Sequence, residues 1–213
     1  MAAQVTEKRT IPNFLAITLD GIGTVRFSQD DAVTCSVEGE PDALTLIETD
    51  VEGGVLHIRT QFRSVKVISF KTMPVYLLTA PNLTAVTLNG AGRAEIGRLK
   101  TDNLTVTVDG AGDIRLNNQT LETCKIVIAG AGNVKASGIA RTQEISIVGT
   151  GNFSGEALVG ETVHVEIAGA GRAKVHATQD LRAEIGGVGQ ISYVGDPRVK
   201  SHVGGLGRIK KGT

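Results

Sequence analysis

Aromatic residues and net charge are what this chain has least of. Tryptophan is absent, aromatic residues make up 3% of the 213 residues, and 22 basic side chains balance 22 acidic ones. The core therefore has to be built from Val, Ile, Leu and Ala. A neutral chain has no overall attraction for nucleic acid or for an anionic membrane surface. Because no apolar run approaches the length of a membrane span, direct membrane insertion is not expected.

Proline and cysteine are also scarce. The chain has 27 Gly but only 5 Pro, which argues against a disordered Pro/Gly-rich chain. Cys35 and Cys124 are too few for a disulfide framework, and each lies in an alternating apolar pattern, so we expect two buried thiols. The first 14 residues contain no apolar signal-peptide core. The protein is therefore expected to be cytoplasmic, unless a signal peptide has been removed, in which case it is exported to the periplasm or the cell surface.

What the chain does contain is a Gly-x-Gly repeat. From residue 90 onward the repeats follow one another at intervals of 20, 20, 19, 20, 18 and 18 residues. The first glycines of the eight repeats are Gly21, Gly90, Gly110, Gly130, Gly149, Gly169, Gly187 and Gly205. A phosphate-binding glycine loop leads into a helix and occurs once, whereas each of these leads into another apolar-alternating segment. The repeat therefore indicates structural corners, and no cofactor is expected.

A branched aliphatic residue stands two positions before every one of these glycines. The positions four before and four after each glycine are mostly aliphatic too. Each repeat is thus a strand with a period of two, a Gly-x-Gly corner and a second such strand. Such a unit buries its apolar side only by stacking on copies of itself, which predicts a right-handed parallel β-helix. We expect the glycines to supply positive φ angles and close backbone approach. The middle residue is expected to point into a narrow corner.

The first third of the chain is less regular. We interpret residues 1–213 as one domain, with irregular N-terminal coils over 1–82 and regular Gly-x-Gly repeats over 83–213. The interval of 69 residues between the first two repeats is long enough for three to four coils, with a separate small β-domain as the alternative. Strand-like segments are predicted at 32–39, 43–50, 54–60, 64–70 and 74–80.

The segment "GGVGQISYVGDPRVKSHVGGLGRIKK" (186–211), with its Tyr193-x-Gly195-x-Pro197 turn, resembles a bacterial family of unknown function. This is the putative auto-transporter adhesin, head GIN domain family, and the opening "FLAITLDGIGTVRFSQDD" (14–31) is similar to its N-terminal half. The resemblance spans nearly the whole chain. It implies a right-handed parallel β-helix in an exported cell-envelope protein, and it transfers no catalytic motif.

A basic face is the first candidate binding surface. Outward positions three and five residues after each repeat's first glycine carry seven basic and two acidic side chains from residue 90 onward, a net charge of +5. The basic residues are Arg93, Arg115, Lys135, Arg172, Lys174, Arg208 and Lys210. Such a face could bind an acidic glycan or another anionic polymer, or it could only keep the rod soluble. The scarcity of aromatic side chains argues against stacking on bases or on neutral sugars.

An apolar patch is the second candidate. Val127, Ala129, Val148 and Ala168 are expected to be outward neighbours in successive coils, where they could pack against a loop, an envelope protein or a second copy.

Carboxylates are the third candidate. Asp109, Glu144, Glu166 and Glu184 are expected to face outward, and Glu166 and Glu184 share one column, with His202 next in it. Stacked carboxylates can perform acid/base catalysis on glycans, but they can equally be a polar surface ladder. His57, His164, His176 and His202 do not have metal-ligand spacing, so we expect solvated surface histidines and no metal site.

The leading functional hypothesis is a non-enzymatic, exported or cell-envelope protein of the binding or adhesion type. The alternatives are a carbohydrate-active enzyme that uses Glu166 and Glu184, and a self-associating structural component of the envelope.

Overall fold

The computed structural model describes residues 4–61 and 72–212. Nearly all of the regular secondary structure is β-strand. No helix in these two segments is long and apolar enough to span a membrane. The N-terminal elements are β1 (Val5–Arg9), β2 (Ala16–Asp20), β3 (Ile22–Gln29), β4 (Thr34–Gly39), α1 (Pro41–Leu44), β5 (Ile47–Glu52), β6 (Val55–Thr60) and β7 (Val75–Ala80). The later strands are β8 (Ala85–Leu88), β9 (Ala91–Ile96), β10 (Lys100–Val108), β11 (Ala111–Ile128), β12 (Ala131–Ile147), β13 (Thr150–Ile167), β14 (Ala170–Ile185), β15 (Val188–Val194), β16 (Arg198–Val203) and β17 (Leu206–Lys211).

The strands from β8 onward stack in parallel, in the register that the glycine alignment predicts. Val106 in β10 pairs with Ile126 in β11, and the column continues through Ile145, Val165 and Ala183. All five side chains are buried. Because each coil contributes one residue to each inward column, the aliphatic side chains form a continuous core along the rod. The predicted parallel β-helix is confirmed.

The glycines are required by close backbone approach rather than by positive φ. A Cβ atom on Gly110 would lie 2.1 Å from the carbonyl oxygen of Gly90, and one on Gly130 would lie 2.1 Å from that of Gly110. Among the described repeat glycines only Gly23 has a positive φ, of 129°. The expectation that the glycines supply positive φ angles was therefore wrong at the other repeat positions. The stacked coils leave no room for a side chain there.

The middle residue of each repeat points outward. Ala131 and Ala170 are exposed, and the larger Val188 and Leu206 are 55% and 74% exposed. The prediction that this residue fills a narrow corner was wrong, because it is the two flanking glycines that face the neighbouring coil. From residue 90 onward this exposed position holds Ala, Thr, Val or Leu.

The N-terminal strands do not stack in the order of the chain. β2 pairs with both β6 and β8, and β3 pairs with both β7 and β9. The coil of β2 and β3 thus lies between the coil of β6 and β7, which comes later in the sequence, and the coil of β8 and β9, where the regular repeats begin. In the described part of the long interval, the chain forms the β6–β7 coil and antiparallel strands rather than three to four successive coils.

Antiparallel strands cover this end of the rod. β5 pairs with β6, while β4 pairs with β7 and with β1. The Arg9 guanidinium ties β1 to this cap, donating to the carbonyl oxygen of Ile47 at 2.7 Å. Four predicted strand segments correspond to β4, β5, β6 and β7. In the second of them strand begins only at Ile47, because 43–44 belong to α1, where Pro41 suits a helical first turn, and 45–46 form a turn. The fifth, 64–70, lies outside the described residues.

Core packing shows how a large and a small residue compensate for each other within one coil. Phe153 is buried in β13, and a Cβ atom on Gly155 would lie 2.4 Å from its ring. The aromatic ring thus fills the space that Gly155 leaves empty. Cys35 and Cys124 are buried and unpaired, as expected, and burial raises the pKa of the Cys124 thiol to about 12.

Candidate functional site

The basic face lies on the strand segments that follow each Gly-x-Gly corner. Backbone pairing places its residues in two columns, because positions three and five residues after each glycine align from coil to coil. One column is Arg93, Asp113, Asn133, Asn152, Arg172, Gln190 and Arg208. The other is Glu95, Arg115, Lys135, Ser154, Lys174, Ser192 and Lys210. The seven basic side chains predicted to share a face are all exposed on it.

Acidic neighbours neutralise the N-terminal part of this face. Arg93 lies 3.7 Å from the Asp113 carboxylate, and Glu95 accepts a hydrogen bond from Arg26 at 3.2 Å. The side-chain amide of Asn133 donates to Asp113, and that of Asn152 donates to Asn133. This amide ladder occupies the Asp113 carboxylate and the carbonyl oxygen of Asn133. The two basic and two acidic residues at 93, 95, 113 and 115 balance, so the excess positive charge lies further along the rod.

A groove lies over the amide ladder and the coil that follows it. It has a volume of about 420 Å³ and includes Asn152 and Ser154. The short Ser154 side chain lies between Lys135 and Lys174 in the neighbouring coils, which leaves a depression. Basic side chains line it on both sides, from Arg115 and Lys135 and from Arg172 and Lys174. Asp113 also lines it, and its carboxylate is already engaged by Arg93 and by the Asn133 amide. Buried Phe153 lies beneath and supports the floor. Hydroxyl and amide groups on the floor with cations around it are the donors that carboxylates and sulfates require.

The cations of the groove differ in how strongly the protein already pairs them. Arg115, Lys135 and Arg172 form no ion pair with any residue in 4–61 or 72–212. Lys174 lies 3.0 Å from the Glu156 carboxylate. Partial burial raises the pKa of Glu156, but hydrogen bonds and the nearby lysine charges outweigh it and hold that pKa below its usual value. Glu156 is thus a built-in competitor for Lys174.

The stacked carboxylates lie on the other side of the corner. Glu166 pairs in register with Glu184, and Glu184 with His202, as the sequence predicts. Arg182 donates a hydrogen bond to Glu184, and this bond lowers the pKa of the Glu184 carboxyl. A general acid needs a raised pKa to hold its proton near neutral pH. The arrangement at Glu184 is therefore that of an ionised surface carboxylate.

A family model described as "Putative auto-transporter adhesin, head GIN domain" matches residues 13–197. The chain belongs to this family. With the groove and the carboxylates described above, membership indicates an adhesion-type function and favours a non-enzymatic one. No protein of curated function matches the chain significantly.

Solved structures similar to this head GIN domain chain have the same fold. A structure described as a putative adhesin from Bacteroides fragilis is 27% identical, with a TM-score of 0.90, over 98% of this chain and 97% of its own. A structure from Parabacteroides distasonis described as a putative lipid binding protein is 21% identical, with a TM-score of 0.73, over 99% and 97%. A putative adhesin from Parabacteroides merdae is 22% identical, with a TM-score of 0.72, over 99% and 96%.

The apolar patch of this head GIN domain chain is smaller than the sequence suggests. Ala129, Val148 and Ala168 are exposed, Val148 by 55%, whereas Val127 is half-buried. The backbone amides of Ala129, Val148 and Ala168 each donate to the preceding coil, so these three residues do stack on one another. Two alanines and one valine present little apolar area.

The histidines are not equally solvated. His202 is exposed, and His57 lies 3.9 Å from the Asp20 carboxylate. His164 is half-buried, and its Nε2 is buried without a hydrogen-bond partner among the described residues. The expectation of four solvated side chains was therefore wrong for His164, because neighbouring coils cover part of its ring.

Sequence reasoning found the cations of the groove but missed its floor. Ser154, Asn152 and Glu156 were not predicted, although the alternation of lysine and serine at 135, 154, 174, 192 and 210 was already readable. The charges of these residues do not reveal the groove, because a depression forms where a short side chain lies between long ones. The lengths of the side chains along the column have to be compared as well.

Proposed function

We propose that this protein is an exported, adhesion-type binding protein that holds an acidic glycan on its basic face. The observation that carries this proposal is the groove over Ser154, whose walls are Arg115, Lys135, Arg172 and Lys174. Three of these cations have no acidic partner in the described structure, so a ligand carboxylate or sulfate would replace water without displacing an ion pair. Membership of an adhesin-type family supports the exported location.

The chemistry of the face selects for charge rather than for sugar stacking. The groove contains no exposed aromatic ring, and Phe153 is buried beneath it. Exposed ion pairs contribute only about 0.2–1 kcal/mol each. Useful affinity would thus need several contacts at once, which favours a polymeric ligand over a single sugar. The binding should weaken at high salt, because exposed charges are screened.

Self-association through the apolar patch is a second candidate, supported by the 55% exposure of Val148. Val148→Asp would place a charge at the centre of the patch. If self-association is the function, the wild-type chain should show a molar mass that rises with concentration in light scattering, and this variant should be monomeric.

The test of the glycan proposal is a screen of acidic and neutral glycans against the wild-type chain, at low and at high salt. We expect binding to acidic glycans that high salt abolishes. Arg172→Glu with Lys174→Glu should abolish it as well. The matched control is Lys125→Glu with Lys200→Glu, which makes the same change in net charge on the other side of the corner. Equal losses in both variants, or no acidic hit at all, would overturn the proposal.

A further inference from the structure

We infer that the basic face contains two similar anion subsites, two coils apart, that bind successive charges of an extended acidic polysaccharide running along the rod. This inference rests on the proposed function and specifies its ligand. The first subsite is the groove over Asn152 and Ser154. The second lies over Gln190 and Ser192, where a serine again lies between two lysines beside an amide side chain.

The first subsite consists of a coil with short polar residues between two coils with longer side chains. Ser154 supplies a hydroxyl, and Asn152 supplies the amide N–H that does not donate to Asn133. Both residues are half-buried. Lys135 is exposed in the coil before, and Arg172 and Lys174 are exposed in the coil after. An anionic group above Ser154 would accept hydrogen bonds from the floor and face cations on both sides.

The second subsite repeats this chemistry. Gln190 again supplies an amide and Ser192 a hydroxyl, both half-buried, and a groove of about 280 Å³ lies beside them. Lys174 borders it on one side, and Lys210 borders it on the other. Arg172 and Arg208 flank Gln190 in the neighbouring column. Lys174 thus stands between the two subsites and can serve either.

The spacing of the subsites identifies the class of ligand. Adjacent parallel strands lie about 4.8 Å apart, so the two floors are about 9.6 Å apart along the rod. This is close to the length of one disaccharide in an extended polysaccharide. A β(1→4)-linked polyuronate forms a flat ribbon in which successive sugars face opposite ways, so one edge shows a carboxylate at every second sugar. Such an edge matches the alternation of serine floors and lysine walls.

Removing the charge of Glu156 should strengthen binding, whereas removing the basic residues should weaken it. The Glu156 carboxylate holds Lys174 at 3.0 Å and lines the second groove. Glu156→Gln would release Lys174 and remove a repulsive charge. We therefore expect this variant to bind the ligand more tightly than the wild type, which a merely nonspecific loss of structure cannot imitate.

The test uses β(1→4)-linked mannuronate oligomers of two, four and six sugars, titrated into the protein at low salt and followed by NMR. Two sugars place one carboxylate on an edge, and four place two. If both subsites are engaged, affinity should rise by about tenfold or more between two and four sugars, because the second contact becomes intramolecular.

A charge-preserving exchange separates spacing from total charge. Lys135→Ser with Ser154→Lys keeps the net charge but fills the first floor and removes one wall. The control, Thr105→Lys with Lys125→Thr, moves a lysine by one coil on the other side of the corner. We expect the first exchange to lower the affinity for the four-sugar oligomer to that for the two-sugar oligomer. The control variant should keep the difference in affinity that the wild type shows between these two oligomers.

The outcomes distinguish this inference from the proposed function. A rise in affinity between two and four sugars supports the two subsites if the Lys135/Ser154 exchange removes it and the control exchange does not. Affinity that follows total charge alone, with both exchanges equal to wild type, overturns the inference and leaves acidic glycan binding intact. If neither these oligomers nor any acidic polymer binds, the proposed function fails and the inference with it.

Discussion

Substituting one repeat glycine should destabilise the rod by an amount that the structure allows us to work out. In Gly130→Ala the new Cβ atom would lie 2.1 Å from the Gly110 oxygen and 2.2 Å from the Asp109 oxygen, against 3.4 Å for ordinary contact. The coils would have to separate by more than 1 Å at this corner. The amides of Ala129, Gly130 and Ala131 each donate at 2.9 Å to the preceding coil, and this separation would break those bonds.

Three broken hydrogen bonds at about 1 kcal/mol each give a loss of about 3 kcal/mol in the free energy of unfolding. For a chain of this size that lowers Tm by roughly 6–12 °C. The control is Gly186→Ala, because a Cβ atom there meets nothing within 4 Å. We expect Gly186→Ala to change Tm little or to raise it slightly. If thermal unfolding shows equal Tm values for both variants, close approach is not what the repeat glycines provide.

Three further predictions concern packing and ionisation. Phe153→Val and Gly155→Ala should each destabilise, but together they should cost less than the sum of the two, since the Cβ atom of Ala occupies space that the ring vacates; denaturant unfolding of the four chains checks this, and strict additivity would contradict it. Cys124 should react with a maleimide only when the protein unfolds, because its buried thiol has a raised pKa; labelling under native conditions at the rate of a free thiol would contradict its burial. The pKa of the Glu184 carboxyl, measured by NMR, should lie below the usual glutamate value. Its ion pair with Arg182 should therefore be fully formed above the usual glutamate pKa and be lost as pH falls through the lowered pKa. Arg182→Ala should raise this pKa, and an unchanged value would refute the assigned cause.

The regular repeats could be predicted from the sequence because they carry redundant signals. Position, spacing and residue type agree at every corner from Gly90 onward, and each coil contacts mainly its neighbours, so aligning the repeats also fixes the register. The role of the glycines was only half predictable. Positive φ and close approach both select glycine, and sequence does not distinguish them.

The N-terminal order could not be predicted because its pairing is nonlocal. β2 lies between β6 and β8, and nothing in the sequence of β2 specifies a partner that follows after dozens of residues. Alternating apolar residues predict that a strand exists, but they do not say which strand pairs with it. The antiparallel cap of β1, β4 and β5 was missed for the same reason.

The candidate site was predictable in its charges and not in its shape. The seven cations follow from the repeat frame, whereas their neutralisation near Arg93 depends on side-chain geometry across coils. The groove requires knowing that Ser154 lies between Lys135 and Lys174 in adjacent coils. This relation is implicit in the alignment, but it becomes visible only when side-chain lengths are compared along a column.

The most direct test of acidic glycan binding compares the wild type with Arg172→Glu/Lys174→Glu on immobilised acidic glycans, at low and at high salt. The account predicts binding by the wild type that high salt removes. It also predicts no binding by the double variant and unchanged binding by the Lys125→Glu/Lys200→Glu control. Binding that persists in the Arg172/Lys174 variant, or that is insensitive to salt, would contradict the claim that the basic groove holds the ligand.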